Sequence, residues 1–91
     1  MYYYVEYTIS EMYEGSDIRY VTKDENDKIV TSTEIQLIKS LETAIQLVKD
    51  FIKQEFPSKQ FKSNGPEDMF TYKENKHNTY YVSINTTNLR I

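Results

Sequence analysis

The sequence predicts an α+β fold: a single helix packed on one face of a mostly antiparallel sheet, in the order β-β-β-α-β-β, within one compact domain over residues 1–91. Three patterns carry that expectation. Residues 2–12 alternate as a half-buried strand does; Leu41 to Phe56 repeats apolar residues at three- and four-residue steps; two aromatic, β-branched segments flank the polar run Glu74 to Asn78.

In the first strand Tyr3, Val5, Tyr7 and Ile9 form the core face, and Tyr2, Tyr4, Glu6, Thr8 and Ser10 the other. Glu14-Gly15-Ser16-Asp17 reads as a hairpin turn, because Gly15 tolerates positive φ. Ile18 to Lys23 is a second strand, with Ile18 and Tyr20 on one face and Arg19 and Val21 on the other; Asp24 to Lys28 is a turn by composition. Ile29-Val-Thr-Ser-Thr33 opens a third strand.

Residues 33–39 fit two patterns. As strand, Ile29, Thr31, Thr33, Ile35 and Leu37 share a face; as helix, Thr33 caps the N-terminus and Gln36 completes a capping box. The reading adopted ends the strand near Ile38 and starts the helix at Ser40, whose hydroxyl accepts from an orphan amide. The helix then buries Leu41, Ala44, Ile45, Val48, Phe51, Ile52 and Phe56 and stops at Pro57. Ser58 to Asp68, with Asn64-Gly65-Pro66, reads as a loop anchored by Phe61. Met69 to Lys73 and Thr79 to Thr86 form the closing hairpin, with Phe70, Tyr72, Tyr80, Val82 and Ile84 inward.

Composition removes whole classes of function. The 91 residues include no Cys, which excludes disulfides, thiolate zinc sites and cysteine nucleophiles. No apolar stretch approaches the roughly 20 residues that span a bilayer. The start, Met1-Tyr-Tyr-Tyr-Val-Glu6, lacks the basic and apolar regions of a signal peptide, so a cytoplasmic location is expected, that of the host cell if the chain is phage-encoded. Phe, Tyr, Met, Ile, Asn and Lys, all with AT-rich codons, make 40 of the 91 residues, which suggests a low-GC source such as a Gram-positive bacterium or its phage.

Candidates for chemistry are few. His77, the one histidine, sits in a polar turn, where solvation is the expected fate. Asp24-Glu25-Asn26-Asp27 starts like a calcium loop, but Lys28 takes the fifth position, Ile29 the glycine position and Ile35 the place of the final glutamate. No phosphate-binding glycine loop or nucleophile elbow is present. The expectation is a protein with no catalytic residues, metal or cofactor, hence not an enzyme.

Charge supplies the functional lead. Residues 1–34 hold eight acids against three bases, residues 35–62 three against five, and residues 63–91 are balanced, for a total of −3. The nine tyrosines divide with the strand period: Tyr3, Tyr7, Tyr20, Tyr72 and Tyr80 are assigned inward, leaving Tyr2, Tyr4, Tyr13 and Tyr81. The expected binding surface is therefore acidic and tyrosine-rich, made of Tyr2, Tyr4, Glu6, Glu11, Tyr13, Glu14, Asp17, Asp24, Glu25, Asp27 and Tyr81, clustered on and around the face away from the helix. Its partner would be a protein with a basic surface, since opposite fields speed encounter and Tyr supplies rigid anchors.

A phage or mobile-element inhibitor that occupies a phosphate site on a host nucleic-acid enzyme has this character. Two alternatives are a single-stranded nucleic-acid binder using a tyrosine-lined sheet, disfavoured because an acidic sheet repels phosphate, and a homo-oligomeric structural subunit such as a homodimer.

Overall fold

Strand β1 (Tyr2–Glu11) lies inside a six-stranded antiparallel sheet of order β3-β2-β1-β6-β5-β4. The other strands are β2 (Gly15–Lys23), β3 (Ile29–Ser32), β4 (Lys62–Ser63), β5 (Met69–Lys73) and β6 (Asn78–Thr87), and α1 (Leu41–Glu55) packs on one face. The computed structural model describes residues 1–13, 15–63 and 69–87. The fold is α+β with the expected element order, to which β4 adds a short edge strand.

Register explains which residues the helix covers. Val5 pairs with Val21 on one side and Ile84 on the other, and Tyr7 pairs with Val82, so these residues share a face with Tyr3 and Ile9. Phe70 opposite Val82 and Tyr72 opposite Tyr80 extend it across β5. Against it α1 buries Ala44, Leu47, Val48 and Phe51. Phe51 is 1% exposed and meets Tyr7 edge-to-face, ring centroids 5.0 Å apart.

Two helix positions differ from the sequence pattern: Leu41 is 45% exposed, and Leu47 is buried in its place. Leu41 occupies the first helical position, before the stripe has turned under, whereas Leu47 lies three residues on from Ala44 and four before Phe51. Ser40 caps the helix as expected, its Oγ accepting from Thr43 N–H at 3.4 Å. Phe56, held before Pro57, closes the other end by donating its N–H to Ile52 C=O.

Residues 33–39 form neither the strand continuation to Ile38 nor a helix. β3 stops at Ser32, whose Oγ accepts from Glu34 N–H at 3.0 Å and bends the chain. Ile38 then exchanges two backbone hydrogen bonds with Tyr3, at 2.7 and 2.8 Å. It fills the edge of β1 beyond the last pair, Val5 with Val21.

Lys62–Ser63, expected as loop, pairs with Thr71 and Phe70 as β4, beside the Phe61 ring that packs 5.1 Å from Phe56. Asn64-Gly65-Pro66 and the rest of that loop to Asp68 lie outside the described residues. The β2–β3 turn is closed by Asp24 Oδ1, which accepts from Asn26 and Lys28 N–H groups, while Asp27 takes a positive φ. The β1–β2 turn falls earlier than Glu14 to Asp17, with Met12 and Tyr13 in it: Gly15 opens β2 at φ 86°, and Ser16 and Asp17 pair with Ser10 and Ile9 as strand, because the long β1 carries the pairing back to Glu11.

Tyr20 is the main correction on the sheet. It pairs with Glu6 and therefore points away from the helix, where it meets Tyr4 edge-to-face at 5.9 Å. Ile18 shares that face and is 52% exposed.

Replacing Phe51 with Ala is expected to lower stability by about 3–5 kcal/mol, because it empties the contact between α1 and β1. Ser40→Ala should cost about 1 kcal/mol. Urea unfolding midpoints of the two variants check both the order and the size of these losses.

Candidate functional site

The face of the sheet opposite α1 carries no covering element among the described residues and is open to a partner. Its centre is Glu6, which pairs with Tyr20 on β2 and Ser83 on β6. Tyr4, Tyr20, Tyr81 and Asn85 surround it by register and are all half-buried. The Asn85 side-chain amide donates to Glu6 Oε2 at 3.4 Å and to Ser83 Oγ at 3.2 Å. Among the described strand residues of this face Glu6 is the only carboxylate, and no ion pair engages it. The remainder is mostly hydroxyl-bearing, with Thr8, Ser10, Thr22, Thr71 and Thr79 in alternating positions.

Of the residues expected to form one acidic patch, the structure brings together Tyr2, Tyr4, Glu6 and Tyr81. Glu11 and Asp17 fall on the helix side, because they share register parity with Tyr7 and Ile9. Asp24, Glu25 and Asp27 occupy the β2–β3 turn, at the opposite end of β2 from Asp17. Tyr13 lies in the β1–β2 turn, 82% exposed, and Glu14 lies outside the described residues. Tyr20, read as core from the sequence, is the residue that pattern missed on this face.

His77 is exposed at its hairpin tip as expected, but it is not free of contacts. Its Nδ1 lies 3.3 Å from Met12 Sδ, its ring centroid is 5.4 Å from that of Tyr13, and its C=O accepts from Met12 N–H. These contacts join the β1–β2 and β5–β6 turns. Among the described residues no group of three or more His, Cys, Asp or Glu side chains could hold a metal ion.

On the helix side a second feature stands out, a cluster of six rings. Tyr72, Tyr80 and Tyr7 form a stacked row with centroid spacings of 6.2 and 6.5 Å. Phe56 tilts onto Tyr80 at 5.2 Å, Phe51 closes on Tyr7, and Phe61 lies 5.5 Å from Tyr72.

Carboxylates rim this row. The Tyr80 hydroxyl donates to Glu74 Oε2 at 2.9 Å, which raises its pKa together with burial and the nearby Glu11. Burial pushes the Tyr7 hydroxyl up to about 12, helped by Tyr80, Glu55 and Asp17. Both phenols therefore stay protonated at neutral pH, and that of Tyr80 ties β6 to Glu74.

A third feature lies where α1 meets the β4–β5 edge: two adjoining grooves flanked by exposed lysines. No helix among the described residues is long and apolar enough to cross a membrane. Comparison of the chain with protein-family models, curated proteins and solved structures finds no match.

Because the folded-state pKa of Tyr7 lies above its ordinary value of 10.0, its contribution to stability is complete below about pH 10 and is lost as pH rises towards about 12. Across that window the unfolded chain has released the proton and the folded chain still holds it, so stability falls. Urea midpoints followed from about pH 9 to about pH 12 should drop more steeply for the natural chain than for Tyr7→Phe, which keeps the ring and removes the titration.

Proposed function

We propose that this protein is a small non-enzymatic interaction module that docks a protein partner on the uncovered sheet face, where Glu6 receives a basic side chain of that partner. The single observation behind this reading is the placement of Glu6. It is a half-buried carboxylate at the middle of a six-stranded face, without a cation among the described residues, and flanked by the half-exposed rings of Tyr4, Tyr20 and Tyr81.

An arginine or lysine approaching there gains an ion pair and ring contacts together. Both are stronger than on open surface, because the surrounding rings exclude water. Tyrosine suits such a face because it offers large contact area at little entropic cost.

Charge elsewhere supports the same class of partner. At one end the exposed Asp24, Glu25 and Asp27 outnumber Lys23 and Lys28, so a basic protein meets a weakly favourable field on approach, while Asp17 at the other end is paired with Arg19. An inhibitor that occupies the phosphate-binding surface of a host nucleic-acid enzyme, encoded by a phage or mobile element, is the specific form of this function we favour. Its partner carries the required arginines and lysines for its own substrate.

The reading is tested by affinity capture from host lysate with the natural chain, Glu6→Gln and the pair Tyr4→Ser with Tyr20→Ser. The expected outcome is a protein retained by the natural chain, released by salt, and lost with both variants while their thermal midpoints stay within a few degrees. Capture of no salt-sensitive protein, or retention unchanged by the variants, would sink it. Sedimentation at high concentration is expected to show a monomer; a dimer broken by Glu6→Gln would make the partner a second copy of the chain.

A further inference from the structure

Away from the acidic turns, the molecule gathers lysines in one place. Beside the C-terminal half of α1 a groove of about 350 Å³ has Phe56, Phe61 and Phe70 in its lining and Lys49, Lys53 and Lys59 around them. At the edge of β5, where β4 has ended, a second groove of about 380 Å³ is lined by Tyr72 and Thr71 together with Lys62 and Lys73.

The two adjoin. Phe61 of the first lies 5.5 Å from Tyr72 of the second, and Lys59 Nζ sits 5.7 Å from the Tyr72 ring centroid. Neither lining contains an acidic residue. All five lysines are exposed, and the ion pairs among the described residues, Arg19 with Asp17 and Lys23 with Asp27, include none of them.

We propose that this band of paired grooves binds single-stranded nucleic acid. The lysine charge calls for an anionic occupant, and the aromatic lining calls for flat apolar groups in the same chain. A single strand supplies one phosphate and one π-face in every nucleotide, which matches lysines interleaved with Phe61 and Tyr72.

A duplex offers the phosphates but keeps its bases stacked inside. An acidic peptide separates its charges and its apolar anchors onto different residues. The middle of the uncovered sheet face lacks this chemistry, since its centre is the Glu6 carboxylate; only the outer margin of that face, where Lys62, Thr71 and Lys73 project by register, belongs to the band. The strand therefore runs along the helix and turns round the β4–β5 edge, without crossing the tyrosines about Glu6. Binding is sequence-tolerant, because ring stacking and phosphate attraction read no base edges.

Fluorescence anisotropy at low salt with a labelled oligothymidylate of about 15 nucleotides measures the binding. The expected result is saturable binding whose log affinity falls against log salt with a slope of about −3.5, close to 0.7 for each of five lysines. Lys49→Gln with Lys53→Gln and Lys59→Gln is expected to weaken it by about tenfold or more, and Lys62→Gln with Lys73→Gln to weaken it and flatten the slope. Lys28→Gln with Lys76→Gln, away from the band, should leave it unchanged. All these positions are exposed, so far-UV circular dichroism and thermal midpoints should stay native.

Absence of saturable binding, or equal loss from the Lys28 and Lys76 pair, would overturn the proposal. So would competition by a duplex of the same length as strong as that of the single strand. Displacement by a glutamate-rich peptide at matched charge would assign the grooves to an acidic protein segment instead.

Discussion

Burial of one face of β1 beneath α1 is the constraint on which the rest of the molecule depends. Val5, 1% exposed, lies between Val21 and Ile84 under the helix, and Phe51 seats on Tyr7 two residues further along the same face. Because side chains in a strand alternate strictly, holding Val5 and Tyr7 inward holds Tyr4, Glu6 and Thr8 outward. A slip of one residue would carry Glu6 under Val48 and Phe51, where a carboxylate without a partner costs several kcal/mol. The register that builds the core therefore builds the outer face with it.

One helix of 15 residues covers one face of a six-stranded sheet, and the division of surfaces follows from that. The covered side holds the valine core and the ring cluster, with Glu11, Asp17, Glu55 and Glu74 close enough to the row of tyrosines to raise the pKa of Tyr7 or Tyr80. The uncovered side holds hydroxyls, four tyrosines and Glu6, with Lys62 and Lys73 at its β4–β5 margin. Lysines of the C-terminal half of α1 line one groove and those of the β4–β5 edge line a second. The small net charge of the chain hides these separate fields, and each suits a different kind of partner.

Much of this was legible from residue order. The alternation of Tyr3, Val5, Tyr7 and Ile9, the Ser40 cap and the Pro57 stop each rest on a local rule that the fold obeys. The misses occur where two local readings compete. In β2 the pairs Ile18 with Tyr20 and Arg19 with Val21 each mix apolar and polar character, so alternation alone does not say which is inward; pairing with β1 puts Tyr20 out. In residues 33–38 the β-branched run promised a longer strand, but the Ser32 hydroxyl offered the backbone another hydrogen bond and the chain turned. The acidic patch dissolved for a related reason. Glu11 and Asp17 are near Glu6 along the strands yet on the other side of the sheet.

Residue order alone sets the element order, the helix and its limits, and the division of β1 into two faces, because these depend on periods of 3.6 and 2 within one segment. Tertiary structure alone decided that Tyr20 would stand beside Tyr4 around Glu6, and that Lys49, Lys53 and Lys59 would share an edge with Lys62 and Lys73. Those neighbours come from different segments. Their meeting is fixed by strand register and by the way the helix lies across the sheet, which no local period records. The tyrosine count visible in the chain becomes a surface only after the core has chosen which rings to keep.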